Sequence, residues 1–135
     1  MNAHTLRHAM LNRCTLERAQ ELIDGCNQAM LVGHMNTVQR AAMFLAQIGE
    51  ESGSLQYTEE IGKGKGQPYF PYCGRTFIQI TWDYNYRAFG EWCHKKGYIQ
   101  DPNLFVNEPH LLRRDRWAWL GPIWYWNIHR LNEYA

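Results

Sequence analysis

No stretch of this sequence approaches the roughly 20 consecutive apolar residues that span a bilayer. Met1 to Asn12 also lacks the unbroken apolar core of a secretion signal, so a soluble chain made in a cytoplasm is expected, with no membrane partner. Neither sign of charge prevails: 14 Lys and Arg stand against 13 Asp and Glu, for a net charge of +1. Such a chain offers no broad positive field to a phosphate backbone, and nucleic acid is not an expected partner. Cys14, Cys26, Cys73 and Cys93 lack the CxxC or CxxH spacing of zinc sites, and the six histidines are scattered, so no metal or other cofactor is expected and the cysteines read as buried free thiols. The same lack of a Cys-His pairing or zinc spacing speaks against a peptidase or amidase.

What is abundant is aromatic: six Trp, eight Tyr and five Phe in 135 residues. Planar side chains suit a packed core first and a sugar-binding cleft second. The length fits one domain over residues 1–135, because a division would leave two marginal cores.

Helical periodicity dominates. Leu16, Ala19, Leu22, Ile23, Cys26, Ala29 and Met30 form one stripe between a Thr15 cap and a Gly33 stop. A second helix is expected from near Asn36, with Gln39 completing a capping box, to Gly53. Its stripe is Ala41, Phe44, Leu45 and Ile48. Residues Ile61 to Gly74, with Gly62, Gly64, Gly66, Pro68 and Pro71, read as a loop. Phe77 to Trp82 alternates as a short strand, Ile78, Ile80 and Trp82 on one side and Phe77, Gln79 and Thr81 on the other. Tyr86, Phe89, Trp92 and Cys93 mark a helix closed by Gly97, ahead of a turn at Asp101 to Asn103. A last helical stretch from His110 to Ala135 is expected to be kinked or divided at Gly121-Pro122. The fold class predicted is mainly α, with a substrate cleft and at most a very short β segment.

On a helical wheel Glu51 borders the apolar stripe of the second helix while Glu50 faces water. A carboxyl beside apolar side chains at the negative end of a helix is disfavoured as an anion, which suits a general acid. Glycosidic hydrolysis needs a second carboxylate, and Glu59 and Glu60 follow the Gly53 stop, where a chain reversal would set one across a cleft. Gln79 and Thr81 would line that cleft if the apolar side of the strand packs inward. Plainer readings stand beside these: a surface carboxylate at a helix end, a solvated acidic pair, and a sheet face turned to solvent.

Three segments occur in a telling order: FLAQIGEESGS (Phe44 to Ser54), YTEE (Tyr57 to Glu60) and YCGRTFIQITWDYNY (Tyr72 to Tyr86). In that order the sequence resembles glycoside hydrolase family 19, the chitinase type, and its bacteriophage lysins more closely still. The likeness extends through DPNLFVNEPHLL (Asp101 to Leu112) and IWYWNIHRLNEYA (Ile123 to Ala135), so it runs from about Leu16 onward. It implies a lysozyme-like helical domain, with Glu51 as general acid, Glu60 as general base and Thr81 holding the attacking water. It further implies that Gln79 and Asn85 bind sugar groups and that Arg75 braces the loop. Tyr72 is our own candidate for a sugar contact.

The sequence also departs from that family. Glu50 stands where His is usual, Thr76-Phe77 replace the usual Gly-Pro after the Arg, and the loop between the acidic pair and the GR motif is shorter. The shorter loop implies a more open cleft, and the stop at Ala135, before the closing segment of many relatives, is read as a compact form or an excised domain of a larger lysin. The function expected is hydrolysis of the β-1,4 glycan of bacterial peptidoglycan by a monomer made in the host cytoplasm and acting at the wall. Chitin is the rival substrate, and a wall-binding module that has lost its chemistry is the rival from another class.

Overall fold

The computed structural model describes residues 1–135, every side chain but that of Asp115 included. Its α-helices are α1 (Ala3–Ala9), α2 (Leu16–Val32), α3 (Val38–Ser52), α4 (Asp83–Lys95), α5 (Leu104–Asn107) and α6 (Asp115–Ile128). Short 3-10 turns lie at Ile61–Gly64, Pro109–Arg113 and Leu131–Tyr134. The protein is mainly α, and among the described residues extended pairing is limited to isolated bridges of Arg75 with Glu59 and with Ile80. Among the described residues no helix is long and apolar enough to cross a membrane. His4 and His8 stand one turn apart on α1, yet no group of three His, Cys, Asp or Glu gathers among the described residues.

The helix ends follow from side chains that satisfy orphan backbone groups. Thr15 accepts from the Arg18 N–H at the start of α2, and Gly33 closes it. At α3 the cap is Thr37, which accepts from the Arg40 N–H, and not the expected Asn36, whose side chain accepts from the Arg40 guanidinium instead. Gly53 ends α3 in the left-handed conformation, φ 60° and ψ 48°, as a residue without Cβ readily does. Gly97 follows α4, and the Asp101 carboxylate accepts from the Asn103 N–H in the turn beyond. The sequence pattern did not show α1, which caps itself with Asn2 and buries Leu6 against α2.

Two apolar clusters make the core. One gathers Leu22, Cys26, Phe44, Ile48 and Phe77; the other gathers Ile78, Ile80, Tyr86, Phe89 and Phe105. Helix α6 serves both, giving Trp119, Ile123 and Trp126 to the first and Leu120 and Trp124 to the second. All four cysteines are free and buried, and burial pushes the thiols of Cys26 and Cys93 up to about 12, far from a reactive thiolate.

The division considered for the last helix and the strand expected at Phe77 to Trp82 are not found among the described residues. Pro122 lies inside α6 without dividing it. Proline has no N–H, so the carbonyl four residues earlier is left open; that carbonyl, Ala118 O, accepts from the Phe77 N–H at 3.1 Å. Nor is Phe77 to Trp82 a strand. Residues 76–79 form a turn closed by two backbone hydrogen bonds between Arg75 and Ile80, 3.0 and 2.7 Å. An alternating strand would leave Phe77 on the groove side. The turn instead buries its ring on Trp119, centroids 4.6 Å apart, a gain of about 1.5–3 kcal/mol. Thr76 and Gln79 take left-handed φ of 68° and 59° in return, at roughly 1–2 kcal/mol each.

Candidate active site

The C-terminal turn of α3 positions Glu51. Buried Ser52 donates its hydroxyl to Ile48 O at 2.6 Å and accepts from the Leu55 N–H at 2.8 Å, and Ser54 N–H closes on Gly49 O. Glu51 is thereby held at a sharply ended helix. Its Oε1 accepts from Gln47 Nε2, one turn back, at 3.2 Å. Its side chain is exposed, as is that of Glu50, which corrects the expectation of apolar shielding. The wheel places a residue against its own helix's stripe, but the apolar contacts of α3 stop at Ile48 and Ser52.

The two later glutamates have been separated by their partners. Glu59 Oε2 receives Arg75 Nε at 2.9 Å, and Oε1 faces Arg113 Nη1 at 3.8 Å. Glu60 receives only neutral donors among its described contacts: the Tyr69 hydroxyl at 2.7 Å on Oε2 and the Gly74 N–H at 3.1 Å on Oε1. The Glu60 N–H donates to Gly74 O at 2.7 Å, so loop and GR segment run pinned side by side. The bond to Glu60, with some desolvation, holds the Tyr69 hydroxyl above its usual pKa, so it remains a donor.

Arg75 is 5% exposed and organises the segment. Besides Glu59, it donates to Pro71 O and to the Tyr86 hydroxyl, each at 3.0 Å, and the Tyr86 hydroxyl in turn donates to Cys73 O. Burial opposes the guanidinium charge, but the bond to Glu59 and the Tyr86 oxygen outweigh it and its pKa rises. Burial is also the main cause of the raised Tyr86 pKa, against the pull of Arg75. Glu59, Arg75 and Tyr86 therefore brace the loop, and of the acidic pair Glu60 is the member without a cation among the described residues.

Gln79, Thr81 and Asn85 come together. All three line a depression of about 250 Å³ with Trp82, Trp124 and His129. Gln79 Nε2 donates to Thr76 O at 3.1 Å, while its Oε1 lies over Gly74, 2.6 Å from where a Cβ would stand. Only glycine at that place lets the Gln79 amide lie flat. Thr81 Oγ1 donates to the Gln79 backbone carbonyl at 3.1 Å and Asn85 Nδ2 to the Thr81 backbone carbonyl at 2.9 Å, so the turn's main chain holds both side chains. Tyr72 is half-buried, edge-on to Tyr86, and its hydroxyl donates to Val106 O at 3.1 Å. A larger hollow of about 530 Å³, among Gly25, Ala29, Val32, Tyr98 and Leu120, contains no carboxylate and none of these residues.

The turn carrying Gln79 depends on α6. Thr76 is fully buried at positive φ and presses on Gly121, where a Cβ would sit 2.7 Å from its hydroxyl and methyl. Gly121 makes the room, and Pro122 frees the carbonyl that takes the Phe77 N–H. The sequence assigns Tyr69 no role, marks Tyr86 only as a helix position and marks Gly121-Pro122 only as a kink or division of the last helical stretch.

No protein-family model matches the chain. Among curated proteins it is similar to an endochitinase of Arabidopsis thaliana, 37% identical over 97 residues, or 65% of this chain and 32% of that protein. A second Arabidopsis endochitinase is 37% identical over 95 residues, with 64% and 31% covered. Endochitinase A of Zea mays is 29% identical over 106 residues, with 67% and 34% covered. The chain thus spans about a third of the length of these relatives. Its homologues are plant endochitinases, matched over about two thirds of its own residues.

Proposed function

We propose that the protein is a glycoside hydrolase that cuts β-1,4 bonds in glycans containing N-acetylglucosamine, with inversion at the anomeric carbon. The observation that carries this reading is the depression shared by Gln79, Thr81 and Asn85, set on the same segment that pins Glu60. Glu51 donates a proton to the leaving oxygen, and Glu60 takes one from the water that attacks the opposite face. The Thr81 hydroxyl spends its proton on Gln79 O, so its lone pairs are free to accept from that water. With one hydrogen on Thr81 and the other on Glu60, the water's own lone pair is left for the sugar carbon. A bound chain would cover Glu51 and supply the desolvation that the free protein lacks.

The substrate we favour is bacterial peptidoglycan, on the likeness to bacteriophage lysins, with synthesis as a monomer in the host cytoplasm and action at the wall. Chitin is the second reading, favoured by the endochitinase relatives. Mass spectrometry of products from purified walls and from chitin oligomers separates them, since the mass of each fragment names the bond cut. Neither glycan released, with helical circular dichroism intact, overturns the proposal in favour of a binding module.

Two further outcomes are expected. Inverting enzymes hold their carboxyls about 6.5–9.5 Å apart to admit a water, so the first product of a β-linked glycan is the α-anomer. Proton NMR of fresh reducing ends reads this before mutarotation; a β-anomer excludes the water held by Glu60 and Thr81. Tyr69→Phe removes one of the two donors that orient Glu60 and should lower kcat roughly tenfold with KM little changed. An unaltered kcat would show that the Tyr69 hydroxyl has no part in positioning the base.

A further inference from the structure

Trp82 is a costly residue for its position. It precedes α4 with φ 75° and ψ 146°, close to a region that essentially only glycine occupies. It gives α4 no side-chain cap, whereas Ser, Thr, Asp, Asn or glycine would serve that end. Packing on Tyr69 and Tyr84 offsets the strain only by burying part of the indole, and 38% of the residue stays open to solvent.

The surroundings suggest what the ring is for. Trp82 lines the depression that holds Gln79, Thr81 and Asn85. Exposed Tyr84 lies nearly parallel to it, centroids 6.1 Å apart at 17°. On another side Tyr69 meets it edge-on at 5.7 Å, and that tyrosine's hydroxyl is the one bonded to Glu60. The indole therefore touches both the polar depression and the tyrosine that holds the carboxylate. A β-1,4-linked hexosamine keeps its ring substituents equatorial and turns axial C–H groups outward, so each sugar has an apolar face that fits an aromatic plane.

We infer that Trp82, backed by Tyr84, is a stacking platform that seats one sugar ring beside Glu60 and governs binding more than chemistry. This rests on the glycoside hydrolase reading above. It makes the strained backbone at position 82 the means by which an aromatic plane is presented at this place.

The test is Trp82→Gly, which removes the platform and releases the strain together. Steady-state kinetics on N-acetylglucosamine oligomers and on purified wall glycan should show KM raised roughly tenfold or more with kcat within about threefold. The helical circular dichroism should match that of the parent, and Trp82→Phe should recover most of the KM. A KM within twofold of the parent overturns the platform while leaving the hydrolase reading in place. So does a fall in thermal midpoint with joint loss of kcat and KM that Trp82→Phe does not restore, since that is the mark of a structural residue. A parent protein that turns over neither glycan takes down the hydrolase reading and this inference with it.

Discussion

Glu51→Gln should lose turnover by roughly 100- to 10,000-fold, the range that a positioned general acid contributes, while the fold stays intact. The structure explains why the two effects separate. The end of α3 is held by Ser52, by the left-handed Gly53 and by the Ser54 to Gly49 backbone bond, none of which involves the Glu51 carboxylate. Glutamine keeps the side chain's shape and its pairing with Gln47 but has no proton to give to a leaving oxygen. Glu50→Gln is the control: Glu50 is also exposed at this helix end, and activity within about twofold of the parent is expected. Product release followed by mass spectrometry, with circular dichroism on the same samples, checks both. Equal loss in the two variants would mean that charge at the end of α3 matters and that Glu51 has no special role.

Gly121→Ala should destabilise the protein by about 1–3 kcal/mol, the usual cost of an overpacked core, and should also impair the site. A Cβ at 121 would stand 2.7–2.8 Å from three atoms of the Thr76 side chain. Thr76 is β-branched and fully buried, with its N–H on Thr58 O and its carbonyl under both Gln79 donors, so it cannot swing aside without moving Gln79. Thr76→Gly should remove the collision, and glycine accepts the φ of 68° at no cost. The double variant is therefore expected to be more stable than Gly121→Ala alone, the pair being strongly non-additive. Denaturant unfolding of the four proteins of this cycle gives the coupling directly; additive effects would show that Gly121 is merely a small residue in α6.

That cycle bears on how this sequence differs from the family it resembles. Where Gly-Pro is usual after the arginine, this chain has Thr76-Phe77, and the corresponding Gly-Pro character appears across the contact at Gly121-Pro122. Thr76 needs a surface without Cβ, and Phe77, unlike proline, has an N–H that needs an acceptor. Helix α6 supplies both. The altered GRTF segment is thus accommodated by the helix opposite, and Gln79 keeps its place over Gly74.

Much of the scaffold was legible in the residues themselves. Helices α2, α3 and α4 could be read from apolar periodicity, and their ends from Thr15, Gly33, Gly53 and Gly97, because caps and stops act within one turn of chain. The order of the three motifs singled out Glu51, Glu60, Gln79, Thr81 and Asn85, of which the last three share one depression. Which acidic neighbour is taken by a cation was not legible. Glu59 and Glu60 are adjacent and chemically identical, and only the return of the chain at Arg75 and Tyr69 distinguishes them.

The turn at Thr76 to Gln79 and the unbroken α6 were likewise decided by tertiary structure. Alternation in FIQITW and a proline in a helix are both local signals, and local signals assume that neighbouring residues are the main partners. Here the partners are far apart in sequence: Phe77 finds Trp119 for its ring and Ala118 for its N–H. Burial of that ring and the pairing of a carbonyl that proline had left open outweigh the strand propensity of six residues.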